Sequence, residues 1–392
     1  MKNYFNTSDR QFGFKKKVGC SHAIYSLRKT IDFFSNQNST VNICSLDLSK
    51  AFDKVNFDML SIKLMNKNLP KWFIELLRNW YGKLNSTVRW GNNFSKSFTI
   101  NSGVRQGGIM SPILFAICVD DLLNNLEKSK RGCYIKSLCY NSFMYADDLV
   151  LASLSIRDLE FLVKMCSDEL SNIGLMINCN KTFCLRIGNR HMIKPIDIQI
   201  YGNAINWVNE IQYLGVTIVS SKRFKLNIQN RKQKFFRAVN AVLGRIGTFS
   251  SPDVVLSLIE SNCVPVLLYG LECVELNNSL LRSIENAYSQ VFSKLFHTFD
   301  RSVIKQCQFY MGYLPAELKI ANRKMNFLSK ISLTNNFTCT LLDVNHNELF
   351  CEMCKYKIVV ASNLQQLAKC SLGTIDFKSK LFNFLENNIY QR

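Results

Sequence analysis

The sequence contains no apolar run approaching the roughly 18 residues that cross a bilayer. One of its longer runs, "VPVLLYGL" (Val264–Leu271), suits a core helix instead. The opening stretch "MKNYFNTSDRQFGFKKK" has no apolar segment after its first lysine, which argues against a secretory leader. Histidine is scarce, at 4 residues, and no acidic cluster stands apart to serve a nuclease. Negative charge is also short: 29 Asp and Glu against 49 Lys and Arg leave a net charge of +20. That deficit points to a polyanionic partner, and without a membrane signal nucleic acid is the expected class. The plainer alternative is an ordinary basic protein. No internal repeat or low-complexity linker is present.

What is present is globular. Apolar residues make up 47% and charged residues 20%, and 392 residues suffice for a well-buried core. That length suggests about two or three domains. The 15 cysteines are an odd count, scattered singly, and read as reduced core thiols. Cys351 and Cys354 form a lone CxxC, and with Cys339 and His346 upstream a zinc set is conceivable. Its order and spacing match no common zinc module.

The first half alternates strand and helix signals. "VNICSLDLSKAFDKV" (Val41–Val55) opens as a strand of period two, with Cys44, Leu46 and Leu48 on one face and Ser45, Asp47 and Ser49 on the other. Pro70 starts a helix expected to bury Phe73, Leu76, Leu77 and Trp80. Ser86–Ile100 reads as a hairpin turning at Gly91-Asn92-Asn93. Ser111-Pro112 predicts an N-cap and first turn of a helix running to about Glu127. A further helix begins with a capping box, Ser155 and Asp158. It carries the stripe Leu159, Leu162, Val163, Cys166 and Leu170 and closes at Gly174. After about Ser220 helical periodicity takes over. Between Ile211 and Pro252 lie eight basic residues and no acidic one: Lys222, Arg223, Lys225, Arg231, Lys232, Lys234, Arg237 and Arg245.

The most informative stretch is "FMYADDLVLA" (Phe143–Ala152). Asp147 and Asp148 stand side by side between two strand-like apolar runs, at the tip of a tight turn. Adjacent carboxylates repel, and half burial strips their hydration. A solvated turn is the plain explanation. A divalent cation is the functional one, since Mg²⁺ favours one or two carboxylates plus substrate phosphates. The second carboxylate is expected from Asp47, on the polar face of the other alternating strand. If the strands are neighbours, two metals about 4 Å apart could bind there, one activating a hydroxyl and one shielding a leaving phosphate. Asp120-Asp121 differ: inside a helix their side chains point about 100° apart and read as structural. "SGVRQGGIMSP" (Ser102–Pro112) is a glycine-rich loop leading into a helix. Such a loop can bring backbone amides near a base or phosphate, though loop punctuation is the commoner reason for glycines.

"SLDLSKAFD", "SGVRQGGIMSP", "FMYADD", "NKTFCLRIG" and "YLGVTI" occur in that order, starting at Ser45, Ser102, Phe143, Asn180 and Tyr213. With "QFGFKKKVGCSHAI" and "CVPVLLYGLE", this series resembles the reverse transcriptase of non-LTR (LINE-type, jockey-like) retrotransposons over roughly residues 10 to 330. The resemblance implies an α+β fold. A right-hand polymerase palm, a small antiparallel sheet with helices on one face, would span 41–220 after partial fingers at 1–40. A helical thumb would follow at 221–330, with a C-terminal extension of unknown role at 331–392.

It also implies residue roles. Asp47, Asp147 and Asp148 would be the catalytic carboxylates and, with the Leu48 carbonyl, hold two Mg²⁺ or Mn²⁺ ions. Phe52 would be the steric gate that disfavours a 2′-hydroxyl. Gln106 and Gly107 would lie against the template–nucleotide pair, and Lys181 would approach the triphosphate. Tyr213, Leu214 and Gly215 would form the primer grip. Lys15, Lys16 and Lys17 fall where the family has fingers residues that meet phosphates. Lys222, Arg223, Lys225, Arg231, Lys232 and Lys234 would contact nucleic-acid backbone. Phe224, Phe235 and Phe236 read as core. The implied partners are an RNA template, a DNA primer and dNTPs, with no membrane. The implied location is intracellular, and nuclear if the protein acts at chromosomal DNA.

Compared with the family, the sequence would begin late in the fingers and carry no endonuclease of its own, so an endonuclease domain or partner is expected elsewhere. "KKKVG" also differs from the usual Arg-Lys-Gly wording. The alternatives are a truncated, catalytically silent nucleic-acid binder, or an RNA-templated RNA polymerase or maturase, against which Phe52 argues.

Overall fold

A computed structural model describes residues 5–246, 250–331, 334, 336, 338, 339, 347–358 and 376–389. The chain forms two compact units, Met1–Lys225 and Leu226–Arg392.

The first unit is an α+β layer built on one six-stranded sheet. β1 (Thr40–Leu46) lies at its centre. It pairs antiparallel on one side with the strand Asp148–Ser153 and on the other with Phe183–Gly188. Numbered along the chain, the strands are β2 to β5 (Asn85–Ser86, Arg89–Trp90, Asn93–Phe94, Phe98–Thr99), β6 (Cys133–Ile135), β7 (Leu138–Tyr140), β8 (Ser142–Tyr145), β9 (Asp148–Ser153), β10 (Phe183–Gly188), β11 (Ile198–Ile200) and β12 (Asn203–Trp207). The sheet order is β11-β12-β10-β1-β9-β8, antiparallel except for the β10–β12 pair. The N-terminal segment extends it further: Gln11 bridges Met144 in parallel, with Phe12 N–H to Met144 O at 2.7 Å.

Helices cover both faces, not the single face expected. Cys44, Leu46, Leu149, Leu151 and Cys184 join a core with α4 (Ser111–Lys128) and α5 (Ile156–Asn172). Their alternates Val41, Ile43, Val150, Ala152 and Leu185 are equally buried, against α1 (Cys20–Asn36). The period-two pattern holds only at the end of β1, because its first residues are buried on both sides. Such a strand reads as a continuous apolar run.

α5 buries the expected stripe completely. Its C-terminus closes with Gly174 N–H to Ser171 O at 3.0 Å and Leu175 N–H to Leu170 O at 2.9 Å, a Schellman arrangement. The expected capping box is not made: Ser155 gives no side-chain cap, and Asp158 turns to Arg131 at 2.9 Å. α2 (Phe57–Asn66) and α3 (Lys71–Gly82) follow β1. α3 buries Ile74, Leu77 and Tyr81, so its buried face lies part of a turn away from the one expected. Leu76 and Trp80 stay 56% and 54% exposed. The hairpin turns at Gly91-Asn92 between the paired Trp90 and Asn93. Asp120 is buried, accepting from Ser8 N–H and pairing with Lys67, both at 2.6 Å; Asp121 pairs with Lys63. The two acids brace α4 against α2 and the N-terminal segment.

The second unit is helical: α6 (Gln229–Ile246), α7 (Pro252–Asn262), α8 (Val264–Leu268) and α9 (Asn278–Phe296), then Arg301–Tyr310, Ala316–Ile331, Asn347–Lys355 and Phe377–Ile389. "VPVLLYGL" gives only the five-residue α8 before the chain turns at Tyr269-Gly270. The described cysteines are free thiols. Among the described residues no group of three or more His, Cys, Asp or Glu is arranged to hold a metal, and His346 lies outside them. Among the described residues no helix is long and apolar enough to cross a membrane.

Asp120→Asn should lower stability in urea unfolding by about 1–3 kcal/mol, because a buried acceptor loses its ion pair. Asp121→Asn, half exposed, should cost less than about 1 kcal/mol.

Candidate active site

The register of β1 decides what gathers. The last pair in the β1–β9 ladder is Leu46 with Leu149. One step further brings Asp47 opposite Asp148, on the face shared by Ser45 and Val150. β8 and β9 join through Tyr145 and Asp148, leaving Ala146-Asp147 as a two-residue turn with Ala146 at φ 56°. The three carboxylates therefore meet at one end of one sheet.

Their electrostatics show the proximity. The Asp148 carboxyl is held above its usual range. Loss of hydration is the main cause, although the residue reaches solvent, and the charges of Asp147 and then Asp47 add to it. Among the described residues the three carboxylates do not form a closed metal cage. The Asp47 carboxylate accepts instead from Asn178 Nδ2 at 3.2 Å. The Asp47 backbone is fixed on both sides: its carbonyl accepts from Asn178 N–H at 2.8 Å, and its N–H donates to Thr182 Oγ1 at 3.4 Å. Leu48 forms an antiparallel bridge with Ile177 through its neighbours' groups, Ser49 N–H to Met176 O and the Asn178–Asp47 bond. The Leu48 carbonyl is not used in that bridge. Three carboxylates and a carbonyl are an all-oxygen donor set, which fits a hard divalent cation.

A second group lies on the segment after β1. Phe52 is half buried, stacked on Phe115 with centroids 4.5 Å apart and meeting Phe14 edge-on at 6.3 Å. The glycine-rich loop is bolted to this segment. Val104 N–H donates to Phe52 O and Gly103 N–H to Val55 O, both at 2.8 Å, and Gln106 Nε2 reaches Asp53 Oδ1 at 3.1 Å. A Cβ on Gly103 would stand 2.6 Å from Asp53 O, at φ 93°, so only glycine permits this approach. Gly107 faces open space. Sequence reasoning missed Asp53 and Asn178, which sit within or beside the motifs but carry no periodicity or spacing signal of their own.

Other expected residues fare differently. Lys181 is exposed, in the short turn Cys179–Lys181 that follows Asn178. β13 (Glu210–Tyr213) and β14 (Val216–Val219) form a hairpin whose tip is Leu214-Gly215. Tyr213 itself is buried and donates its hydroxyl to Phe143 O at 3.1 Å. Burial pushes its phenol well above the usual range, and the Asp148 charge adds to that. Its side chain is a brace, and Leu214-Gly215 form the hairpin tip. Lys15 is turned inward onto Thr7 O, Ser8 O and Asp9, whereas Lys16 and Lys17 are exposed. Lys222, Arg223, Lys225 and Lys234 are exposed or half exposed. Arg231 is buried and donates to Tyr269 O, and Lys232 is held by Ser283 at 2.9 Å. Both are engaged by groups of their own unit, which charge periodicity does not reveal, because it does not tell which side of α6 faces its core. Phe235 is buried, as a core residue should be, and Phe236 is half buried.

Residues 1–218 match the family model for reverse transcriptase (RNA-dependent DNA polymerase), and the chain belongs to that family. Its relatives are non-LTR retrotransposon polyproteins. It is 27% identical over 230 residues to the Pol polyprotein of the type-2 retrotransposable element R2DM of Drosophila melanogaster, covering 57% of this chain and 22% of that one. It is 23% identical over 235 residues to the RNA-directed DNA polymerase of the mobile element jockey of Drosophila funebris, covering 57% and 25%. The chain thus spans about a quarter or less of the length of these two curated relatives. Apo telomerase of Candida tropicalis aligns over 93% of this chain and 56% of its own, at 13% identity and TM-score 0.42.

The ionised form of Asp148 is penalised in the folded protein, fully above its raised folded pKa and not at all below the unfolded value. Asp148→Asn should therefore raise the melting temperature of the metal-free protein at neutral pH. The gain should vanish as pH falls through the acid range, as read by thermal denaturation across pH.

Proposed function

We propose that this chain is an RNA-directed DNA polymerase that adds deoxynucleotides to a primer 3′-hydroxyl. In this reading residues 1–40 are partial fingers, 41–220 the palm, 221–330 a thumb and 331–392 an extension. The observation that carries it is the placement of Asp47 beside Asp147-Asp148 at the end of adjacent antiparallel strands.

Asp47, Asp147 and the Leu48 carbonyl would hold Mg²⁺ or Mn²⁺, with Asp148 the third carboxylate. Two such ions supply an activated hydroxyl and shield the leaving pyrophosphate. The remaining work falls to the chain's own groups. Phe52, immobilised by Phe115, fills the space a ribose 2′-hydroxyl would need. Gln106, held by Asp53, and the open backbone at Gly107 take the template–nucleotide pair. Lys181 is free to swing onto the triphosphate. The Leu214-Gly215 turn meets the primer. Lys222, Arg223, Lys225 and Lys234, all reaching solvent, neutralise backbone phosphates of the RNA template or DNA primer without reading sequence.

Primer extension on poly(rA)/oligo(dT) with Mg²⁺ or Mn²⁺ tests this. Asp147→Asn should cut the rate by roughly 10²-fold or more, since metal-borne charge stabilisation is worth several kcal/mol. Binding of the hybrid with no Asp147-dependent product under either ion would make the chain a silent binder. Phe52→Ala should raise ribonucleotide incorporation relative to deoxynucleotide in the same assay. An unchanged ratio would remove the gate role.

A further inference from the structure

We propose that Gln11 is the positioning residue that aims Asp147, acting as a side-chain substitute for a missing sheet strand; this rests on the polymerase reading above. β8 is the edge strand of the six-stranded sheet. The N-terminal segment pairs with it only around Met144: Met144 N–H donates to Arg10 O at 2.9 Å and Phe12 N–H to Met144 O at 2.7 Å. Two residues further, at Ala146, backbone pairing with this segment gives way to a side chain. The Gln11 amide accepts from Ala146 N–H through Oε1 at 3.1 Å and donates to Ala146 O through Nε2 at 3.2 Å. A side-chain amide has one acceptor and one donor side, so it reproduces what a neighbouring strand would offer.

The position of those two bonds gives them their consequence. One fixes the peptide plane before Ala146, the other the plane between Ala146 and Asp147. Ala146 sits at φ 56°, a conformation alanine disfavours, so the turn needs outside support to stay there. Gln11 is fully buried, and its Oε1 also accepts from Gly13 N–H at 2.9 Å, which holds the amide in one orientation. Gly13 completes the fit, because a Cβ there would lie 2.7 Å from Ala146 N. Gln11 touches no reacting atom. It acts through the backbone on which the metal-binding carboxylate is mounted.

The test compares wild type with Gln11→Leu, which removes both bonds at similar size, and Gln11→Glu, which keeps the acceptor and loses the donor. Amide hydrogen exchange should show the Ala146 N–H losing protection in Gln11→Leu and keeping more of it in Gln11→Glu. Mn²⁺ affinity, read by paramagnetic resonance on the folded protein, should fall roughly 10- to 100-fold in Gln11→Leu, as for other residues that orient metal ligands. The primer-extension kcat should fall with it, while the KM for dNTP stays near wild type. A merely structural role would lower the melting temperature and leave Mn²⁺ affinity per folded molecule unchanged. That result, or unchanged exchange at Ala146, overturns the clamp. If Gln11→Leu does not fold, Gln11→Glu carries the same comparison. A wild type that neither binds Mn²⁺ nor extends primer would refute the polymerase reading itself; a competent wild type with an indifferent Gln11→Leu refutes only the clamp.

Discussion

Three carboxylates at the end of one sheet repel one another, and the register of β1 against β9 forces them to stay. Shifting that register by one residue would send Asp47 to the opposite face and turn the interior of β1 inside out. The shift is opposed by packing. Val41 and Ile43 fill one face of the strand and Cys44 and Leu46 the other, so exchanging the two sets would disrupt close packing on both sides. The apolar interior thereby holds in place a charge arrangement that is unfavourable by itself. Lost hydration first, and then the charges of Asp147 and Asp47, hold the Asp148 carboxyl above its usual range.

Around the carboxylates the chain commits its polar groups to backbone control. Asn178 and Thr182 fix Asp47 from the β10 side, and Tyr213 ties the β13–β14 hairpin to Phe143, just ahead of the aspartate turn. The supports come from two parts of the sequence, around Asn178–Thr182 and at Tyr213. The turn is thus surrounded by short-range bonds reaching across long stretches of chain. Backbone placement, more than side-chain contacts, thus sets where the three carboxylates lie.

Much of this was legible in the sequence because the relevant signals are local. The aspartate turn announces itself through apolar runs on both sides, and α5 through an unbroken stripe that ends in glycine. What stayed hidden depends on partners distant in the chain. The buried face of α3 could not be told from its exposed one, because Trp80 and Tyr81 are both aromatic and only the neighbouring helices choose between them. Arg231 and Lys232 read as free charges, since nothing nearby in sequence foretells Tyr269 or Ser283 as partners. Ser155 and Asp158 had the right spacing for a cap, but Arg131 offered Asp158 a charged partner. The helices on the second sheet face were hidden because a strand buried on both sides loses its alternation.

The union of the glycine-rich loop with the segment carrying Phe52 reaches beyond the site itself. Backbone bonds from Val104 and Gly103, together with the Gln106–Asp53 contact, make the two stretches a single rigid plate. In the polymerase reading proposed above, selectivity for the sugar and grip on the paired base would then be mechanically coupled. A change that shifts one stretch would therefore be felt at the other through the bonds that join them.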